Sequence, residues 1–395
     1  MNKNFRDIRT PFYYYDTALL QATLDAVRCE ISQYPDYHVH YALKANANPR
    51  LLQIIQQAGF GADCVSGGEV QAAIDAGFPA DKVVYAGVGK SDREILTALK
   101  HDIFCFNVES IPELQVINEL ANKEGKVARV CLRINPDVEA HTHTHIITGM
   151  AENKFGIALA DMLQVVQLAK ELPNIQFEGL HFHIGSQITN MQDYVVLCQR
   201  INEIQHQLNK QGIYPSVINV GGGLGIDYQS PQEHPIANFK AYFQVFTQHL
   251  HLRSEQSLHF ELGRSIVAQC GSLITQVLYV KQATSKQFVI VDAGMTELIR
   301  PALYQAKHKI ENLTAQPTMN NPQQPLDYAT YDVVGPICES SDVFDKAIML
   351  PITKRGDIIA IRSAGAYGEA MASTYNCRTL VHGYTDKEVD KMIGL

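Results

Sequence analysis

The chain has no run of basic residues, no cysteine pair spaced as CxxC and no apolar stretch of membrane-spanning length. With no basic run and a formal net charge of -8, it lacks the electrostatic footprint of a protein that binds nucleic acid or an anionic membrane surface. No segment approaches the ~18–20 uninterrupted apolar residues that cross a bilayer. The opening MNKNFRDIRTPFYYYD has no apolar stretch long enough for a signal peptide. The eight cysteines, at 29, 64, 105, 131, 198, 270, 338 and 377, fit reduced thiols better than a disulfide framework or a zinc site. The expectation is a cytoplasmic protein.

What is present is an ordinary globular composition, 46% hydrophobic and 19% charged, in a chain of 395 residues. That length exceeds the reach of one core, so two domains are expected. From about Tyr37 to Gly263 strand-like runs alternate with helical patterns. The strands are YHVHYAL, a weaker GFGADCVS, KVVYAG, IFCFNV, VARVCLRINP, FEGLHFHIG, SVINVGGG and LHFEL. Between them, segments such as PRLLQIIQQAG, SDREILTALKH and ADMLQVVQLAKEL repeat apolar residues every three or four positions. About eight βα units over about 225 residues is the arithmetic of a (β/α)8 TIM barrel. An open doubly wound sheet, the runner-up, normally has fewer strands and a GxGxxG turn. After Gly263 the texture turns to short β runs, among them SIVAQCGSLITQVLYVKQA, KQFVIVDAGM, ATYDVVGPIC and RGDIIAIRSAG. The expected fold class is therefore α/β plus all-β. A barrel would span 15–264, and 1–14 with 265–395 would form a β-sandwich or β-barrel-like domain. The polar stretch 311–327 reads as a loop or a long hairpin connection.

Barrel enzymes gather reactive groups at the C-terminal ends of their strands. Residues that follow the strands here include Lys44, Asp63, Asn135, the HFHIGSQ turn, GGGLG and ELGR. Lys44 closes HVHYALK just before the turn ANANP; taken singly it is a solvated strand end. The glycines Gly221, Gly222 and Gly223 follow about the seventh strand, where barrel phosphate sites usually lie, and would let backbone N–H groups approach an anion. Arg264, past the eighth strand, would place a guanidinium beside it. His183 can stack on a planar ligand, donate a proton or fill the barrel mouth. Glu261 ends a buried strand and needs a cationic partner, either a protonated pyridine nitrogen or Arg264. A lysine, a phosphate nest, a stackable ring and a buried carboxylate at one rim are together the requirements of pyridoxal 5'-phosphate. Lys44 would hold the aldehyde as a Schiff base and Glu261 would keep the ring nitrogen protonated.

These residues resemble the fold-type III, alanine-racemase-like pyridoxal enzymes, and within them the diaminopimelate decarboxylases. The likeness runs through YALKAN, DCVSGGE, NKFGI, HFHIGSQ, INVGGGLGIDY, ELGR, RPALYQAKH, GPICESSDVF and GAYGEAMASTYN. The earlier motifs are shared with ornithine and arginine decarboxylases; RPALYQAKH and VVGPICESSD discriminate. The resemblance implies a PLP-dependent carboxy-lyase acting in lysine biosynthesis, a head-to-tail homodimer with shared active sites. It implies Lys44, His183 and Cys338 as catalytic residues. Cofactor-binding positions would be Lys44, Asp63, His183, Ser186, Gly221, Gly222, Gly223, Glu261, Gly263, Arg264 and Tyr367. Arg264, Arg300, Tyr304, Glu339 and Tyr367 would meet the substrate, Cys338 and Glu339 reaching across from the partner subunit. Where the family usually reads EPGR this chain has ELGR; Leu262 frees a backbone angle and restores an N–H without removing a functional group.

Two arginines and a carboxylate suit a substrate whose far end is itself an amino acid. A thiol, whose ordinary pKa is ~8.5, is mostly protonated at neutral pH and suits return of a proton to a carbanion. The expected reaction is decarboxylation of meso-2,6-diaminopimelate to L-lysine. Alternatives are a decarboxylase of carboxynorspermidine, ornithine or arginine, an amino acid racemase, and a non-catalytic relative that binds partners. His141, His143 and His145 alternate like a metal-binding ribbon but lack a carboxylate or cysteine at ligand spacing, so a solvated loop and no metal are expected.

Overall fold

Residues 5–138, 154–315 and 326–394 are described by the computed structural model, in two units. One comprises Ala22–Gly225 and Ala237–Ile266; the other comprises Met1–Gln21, Ile226–Ile236 and Val267–Leu395. The three alternating histidines and residues 316–325 of the polar stretch lie outside the described residues.

Strand β1 (Phe12–Tyr15) belongs to the second unit. The first unit is a closed barrel of parallel strands. In order they are β2 (Tyr37–Ala42), β3 (Gly61–Cys64), β4 (Val83–Tyr85), β5 (Cys105–Val108), β6 (Ala128–Arg133), β7 (Ile175–His181), β8 (Val217–Asn219) and β9 (Ser257–Leu262). All eight coincide with the expected runs, the weak GADC included. Their near-continuous apolar character follows from burial on both faces, inside the barrel and under the helices. The intervening helices start where short polar side chains can accept the first orphan N–H groups. Asn48 accepts from the amide of Arg50, Ser66 from that of Glu69, Ser110 from that of Glu113, and Ser91 with Glu94 forms a capping box.

The barrel interior is unusually polar. Near the strand starts His40 and His259 stack at 5.0 Å between centroids, with His40 Nε2 and His259 Nδ1 2.8 Å apart. Burial pushes the His40 imidazole down to about 4 and His259 further, so both are neutral. Two residues further along β9, on the same face, stands Glu261. The barrel closes tightly between β6, β7 and β8. The β6–β7 ladder skips a residue between the Val130–Phe177 and Cys131–Gly179 pairs. A Cβ on Gly179 would lie 1.8 Å from the carbonyl oxygen of Val217 in β8.

The second unit is a mostly β assembly of β10 (Gly271–Gln282), β11 (Gln287–Val291), β12 (Ile310–Asn312), β13 (Tyr328–Val334), β14 (Val343–Pro351), β15 (Ile358–Ile361) and β16 (Gly383–Thr385). The strand order is β12-β15-β10-β11-β13-β14, with β1 antiparallel to β10 and parallel to β16. Three details depart from the sequence reading. SIVA opens as a short helix, Arg264–Val267, closed by the Ile266 amide on Gly263 O, and the strand begins only at Gly271. Ile310–Asn312, partly inside the expected loop, is a strand paired with β15. VFDKAIMLP is a strand whose alternation is concealed by irregular pairing with β13 and by Ala347 at φ 54°. Among the described residues no helix is long and apolar enough to cross a membrane.

Replacing Gly179 with valine is expected to destabilise the chain by at least ~2 kcal/mol, because backbone rather than a movable side chain blocks the new atoms. Gly89→Ala, at a position with nothing within 4 Å of a new Cβ, should leave the urea midpoint nearly unchanged. Equal midpoints for the two variants would contradict this packing account.

Candidate functional site

The lysine that ends β2 sits in a short 3-10 turn, Leu43–Ala45. The turn ANANP is held from within: Tyr41 Oη donates to Asn46 O at 2.8 Å, and Asn46 Oδ1 accepts the Asn48 amide at 2.9 Å. Lys44 Nζ lies 3.7 Å from Asp63 Oδ2, its side chain 40% exposed and that of Asp63 fully buried. Among the described residues neither Asp63 oxygen receives a hydrogen bond. Burial and then the negative charge of Glu261 push the Asp63 carboxyl well above the usual range, against the pull of Lys44.

Glu261 has the opposite environment. Asn107 Nδ2 (2.9 Å) and Asn219 Nδ2 (2.7 Å) both donate to Oε1, and His181 Nε2 lies 3.0 Å from Oε2. Burial opposes the charge, but the charge and hydrogen bond of His181, followed by the Lys44 ammonium, hold this carboxyl well below the usual range. Arg264 Nη2 donates to Ser186 Oγ at 2.9 Å. Burial, then Arg133 and Lys44, push His183 far down, so it is a neutral imidazole. Its Nδ1 accepts the Gly222 amide at 3.3 Å, which favours a stacking ring over a cationic proton donor.

The glycines make a cradle that no other residue would permit. A Cβ would meet Phe182 O at 2.4 Å from Gly221, Glu261 O at 1.9 Å from Gly222 and Gly185 O at 2.5 Å from Gly223. Two of their amides already have partners inside the chain, Asn219 Oδ1 for Gly221 and His183 Nδ1 for Gly222. A Cβ added at Gly263 would lie 3.1 Å from the Cβ atoms of both Ala42 and Ala45, so glycine lets β9 end against the Lys44 turn.

Sequence reasoning missed the girdle that stiffens this rim. Glu109 Oε1 takes Arg133 Nη1 at 3.0 Å and the Gly87 amide at 2.9 Å, and its Oε2 takes the Gly156 amide at 3.0 Å. Lys90, its side chain 1% exposed, donates to Gly87 O, Asn107 O and Glu113 Oε1, while Glu113 Oε2 accepts the Glu109 amide. The missed signal was a polar residue at or one position before the end of an apolar strand, as Asn107, Arg133, His181 and Asn219 are.

The remaining expected residues lie in the β unit. Arg300 is buried at the start of the helix Arg300–Tyr304, its Nη1 3.1 Å from Tyr228 Oη and 2.9 Å from His308 Nε2. Tyr304 is half-buried and Tyr367, also half-buried, holds φ 57°. Cys338 and Glu339 are exposed. Their loop is fixed by Asp342, whose oxygens accept the amides of Ile337 (2.7 Å) and Met295 (2.6 Å), and by Asn376 Oδ1, which accepts the Cys338 amide at 3.2 Å. Tyr375 donates to Glu339 Oε1 at 2.8 Å. Among the described residues no cluster of three or more His, Cys, Asp or Glu could hold a metal ion.

A family model described as "pyridoxal-dependent decarboxylase, pyridoxal binding domain" matches residues 23–268. The diaminopimelate decarboxylase of Bacteroides thetaiotaomicron is 61% identical over 385 residues, covering 98% of this chain and 97% of that protein. The crystal structure of diaminopimelate decarboxylase from Helicobacter pylori complexed with L-lysine superposes with a TM-score of 0.86 at 38% identity, covering 99% of both chains. The diaminopimelate decarboxylase of M. jannaschii, also in complex with L-lysine, gives a TM-score of 0.86 at 31% identity over 97% of this chain and 91% of that one.

The contrast between the two carboxyls yields a stability test on the cofactor-free chain. An acid whose folded pKa is raised destabilises the fold above its unfolded pKa of ~3.9 and costs nothing below it. Asp63→Asn should therefore raise the unfolding midpoint at pH 7, the gain shrinking as pH falls toward ~4. A lower midpoint at pH 7 would mean that Asp63 is stabilised as an anion.

Proposed function

We infer the activity from a plain premise: the chain belongs to the pyridoxal-dependent decarboxylases, and within them to the diaminopimelate decarboxylases. It decarboxylates meso-2,6-diaminopimelate at the D-centre, releasing L-lysine and carbon dioxide. The observation that carries this reading is the 61% identity along 98% of the chain. That span takes in the RPALYQAKH and GPICES segments as well as the barrel.

The residues at the barrel rim fit pyridoxal phosphate. Ser186 with Arg264 offers a hydroxyl and a guanidinium to a phosphate, beside a Gly221–Gly223 turn whose glycines let it pack directly on the backbone of Phe182, Gly185 and Glu261. When bound, the cofactor supplies a sink for the electron pair left on the α-carbon as carbon dioxide departs. Lys44 would hold the cofactor aldehyde through its amine. Glu261, kept ionised, would hold a proton at the ring nitrogen. His183, neutral, would stack on the ring, and Asp63, Gly263 and Tyr367 would be further cofactor-binding residues.

At the substrate, Arg264, Arg300 and Tyr304 take carboxylate groups, Glu339 takes the distal ammonium, and Cys338 returns a proton to the α-carbon. We assign cofactor binding to residues 15–264, and substrate reading and dimer contacts to 1–14 with 265–395. The exposure of Cys338 and Glu339 on their own chain supports a homodimer in which they complete the partner's site. We place the enzyme in the cytoplasm, in keeping with its biosynthetic product and scattered thiols.

Turnover of diaminopimelate to lysine and carbon dioxide is the direct test, and negligible turnover beside faster reaction of another amino acid would sink the substrate assignment. Lys44→Ala should lack the visible band near ~420 nm that lysine-bound pyridoxal phosphate gives. Cys338→Ala should slow turnover by about 10²-fold or more while the cofactor stays bound. Mixing the two inactive variants should restore about a quarter of the wild-type rate, one intact site in every second dimer. No recovery on mixing would place Cys338 in its own subunit's site.

A further inference from the structure

Glu261 must remain an anion if it is to hold a proton on a ring nitrogen, yet it lies inside a barrel where an unpaired carboxylate would protonate. A carboxylate offers about four lone-pair positions on its two oxygens. Three are taken: two on Oε1 by Asn107 and Asn219, and one on Oε2 by His181. One acceptor position therefore remains, on the oxygen that His181 holds. We propose that His181 is a positioning residue, which with Asn107 and Asn219 keeps Glu261 ionised and leaves Oε2 one direction open for the cofactor's ring N–H. The inference rests on the pyridoxal-phosphate reading above and adds to it residues that never touch substrate.

Two features separate this from ordinary packing. His181 Nδ1 is buried with no hydrogen-bond partner among the described residues, a cost that leucine or phenylalanine would avoid in the same space. The imidazole is thus held for its Nε2 donation alone. The supporting donors are also fixed from behind. Lys90 Nζ grips Asn107 O at 2.9 Å, and Asn219 Oδ1 accepts the Gly221 amide at 2.9 Å, which couples the anion to the glycine cradle. Asn107 Oδ1 has no partner among the described residues either, so its amide is aimed at Glu261 by one bond there. Were a donor lost, Glu261 would take up a proton and become a donor itself, and the ring nitrogen would lose its acceptor.

The test compares His181→Leu with His181→Gln, whose amide can replace the Nε2 donor. The apo proteins are titrated with pyridoxal phosphate while the visible band is followed, and kcat and KM are measured on the holoenzymes. The leucine variant should bind the cofactor about tenfold or more weakly and lose kcat with KM nearly unchanged, whereas the glutamine variant should stay within about threefold of wild type in both. Should the leucine variant fail to fold, Asn107→Ala, which removes one donor and adds no bulk, is read in the same way. Leucine and glutamine variants that behave alike, or an Asn107→Ala protein that matches wild type, would overturn the inference. A wild-type chain that takes up no pyridoxal phosphate would instead overturn the reading on which it rests.

Discussion

Glu261 sits inside the barrel with three N–H donors on its two oxygens, and much of the surrounding structure follows from keeping a charge there. The donors come from the C-terminal ends of β5, β7 and β8, so one carboxylate on β9 ties together strands from around the barrel. Each donor requires a polar side chain at an inward position where a barrel normally packs branched aliphatic residues. At the rim, Glu109, Arg133, Lys90 and Glu113 bind the loops after β4, β5 and β6 to one another. That ionic girdle is buried and nearly saturated in hydrogen bonds, the condition under which buried charges do not destabilise strongly.

Asp63 shows what happens without such support. It is as deeply buried as Glu261, its neighbours include the same lysine, and yet among the described residues no donor reaches it within hydrogen-bonding distance. Two carboxyls in one barrel mouth thus take opposite preferences from environment alone, one for the proton and one against it. At neutral pH the rim favours an anion at one point and a protonated carboxyl beside Lys44 at another.

Most of this architecture was legible in the sequence, for identifiable reasons. The eight barrel strands were readable because both faces are buried and helical patterns separate the runs. GADC, the weakest, is four residues long and was recognised mainly by the alternation around it. The β unit was harder. VFDKAIMLP hid its pattern behind a bulge, and RPALY is too short for helical periodicity, with Pro301 in its first turn. At the site, Lys44, His183 and Glu261 stood out because they follow strand ends. Their supporting shell did not: Asn107 and His181 sit within strand-like runs, and nothing in a single sequence says which of two alternating faces looks inward. Nor does spacing report that Lys90, on a turn, folds inward to a backbone carbonyl.

The strand β1 carries one further consequence. It pairs with Gly271–Ile274 on one side and with Gly383–Thr385 on the other, while the barrel lies between them along the chain. On the ribosome, β1 is therefore made before the barrel but has no partner until the barrel has been completed. At ~5–20 residues per second that interval lasts roughly tens of seconds, during which an aromatic-rich edge, FYYY, stays unpaired. The order of synthesis thus favours a barrel that folds by itself, and it makes this short strand the segment with most to gain from a chaperone.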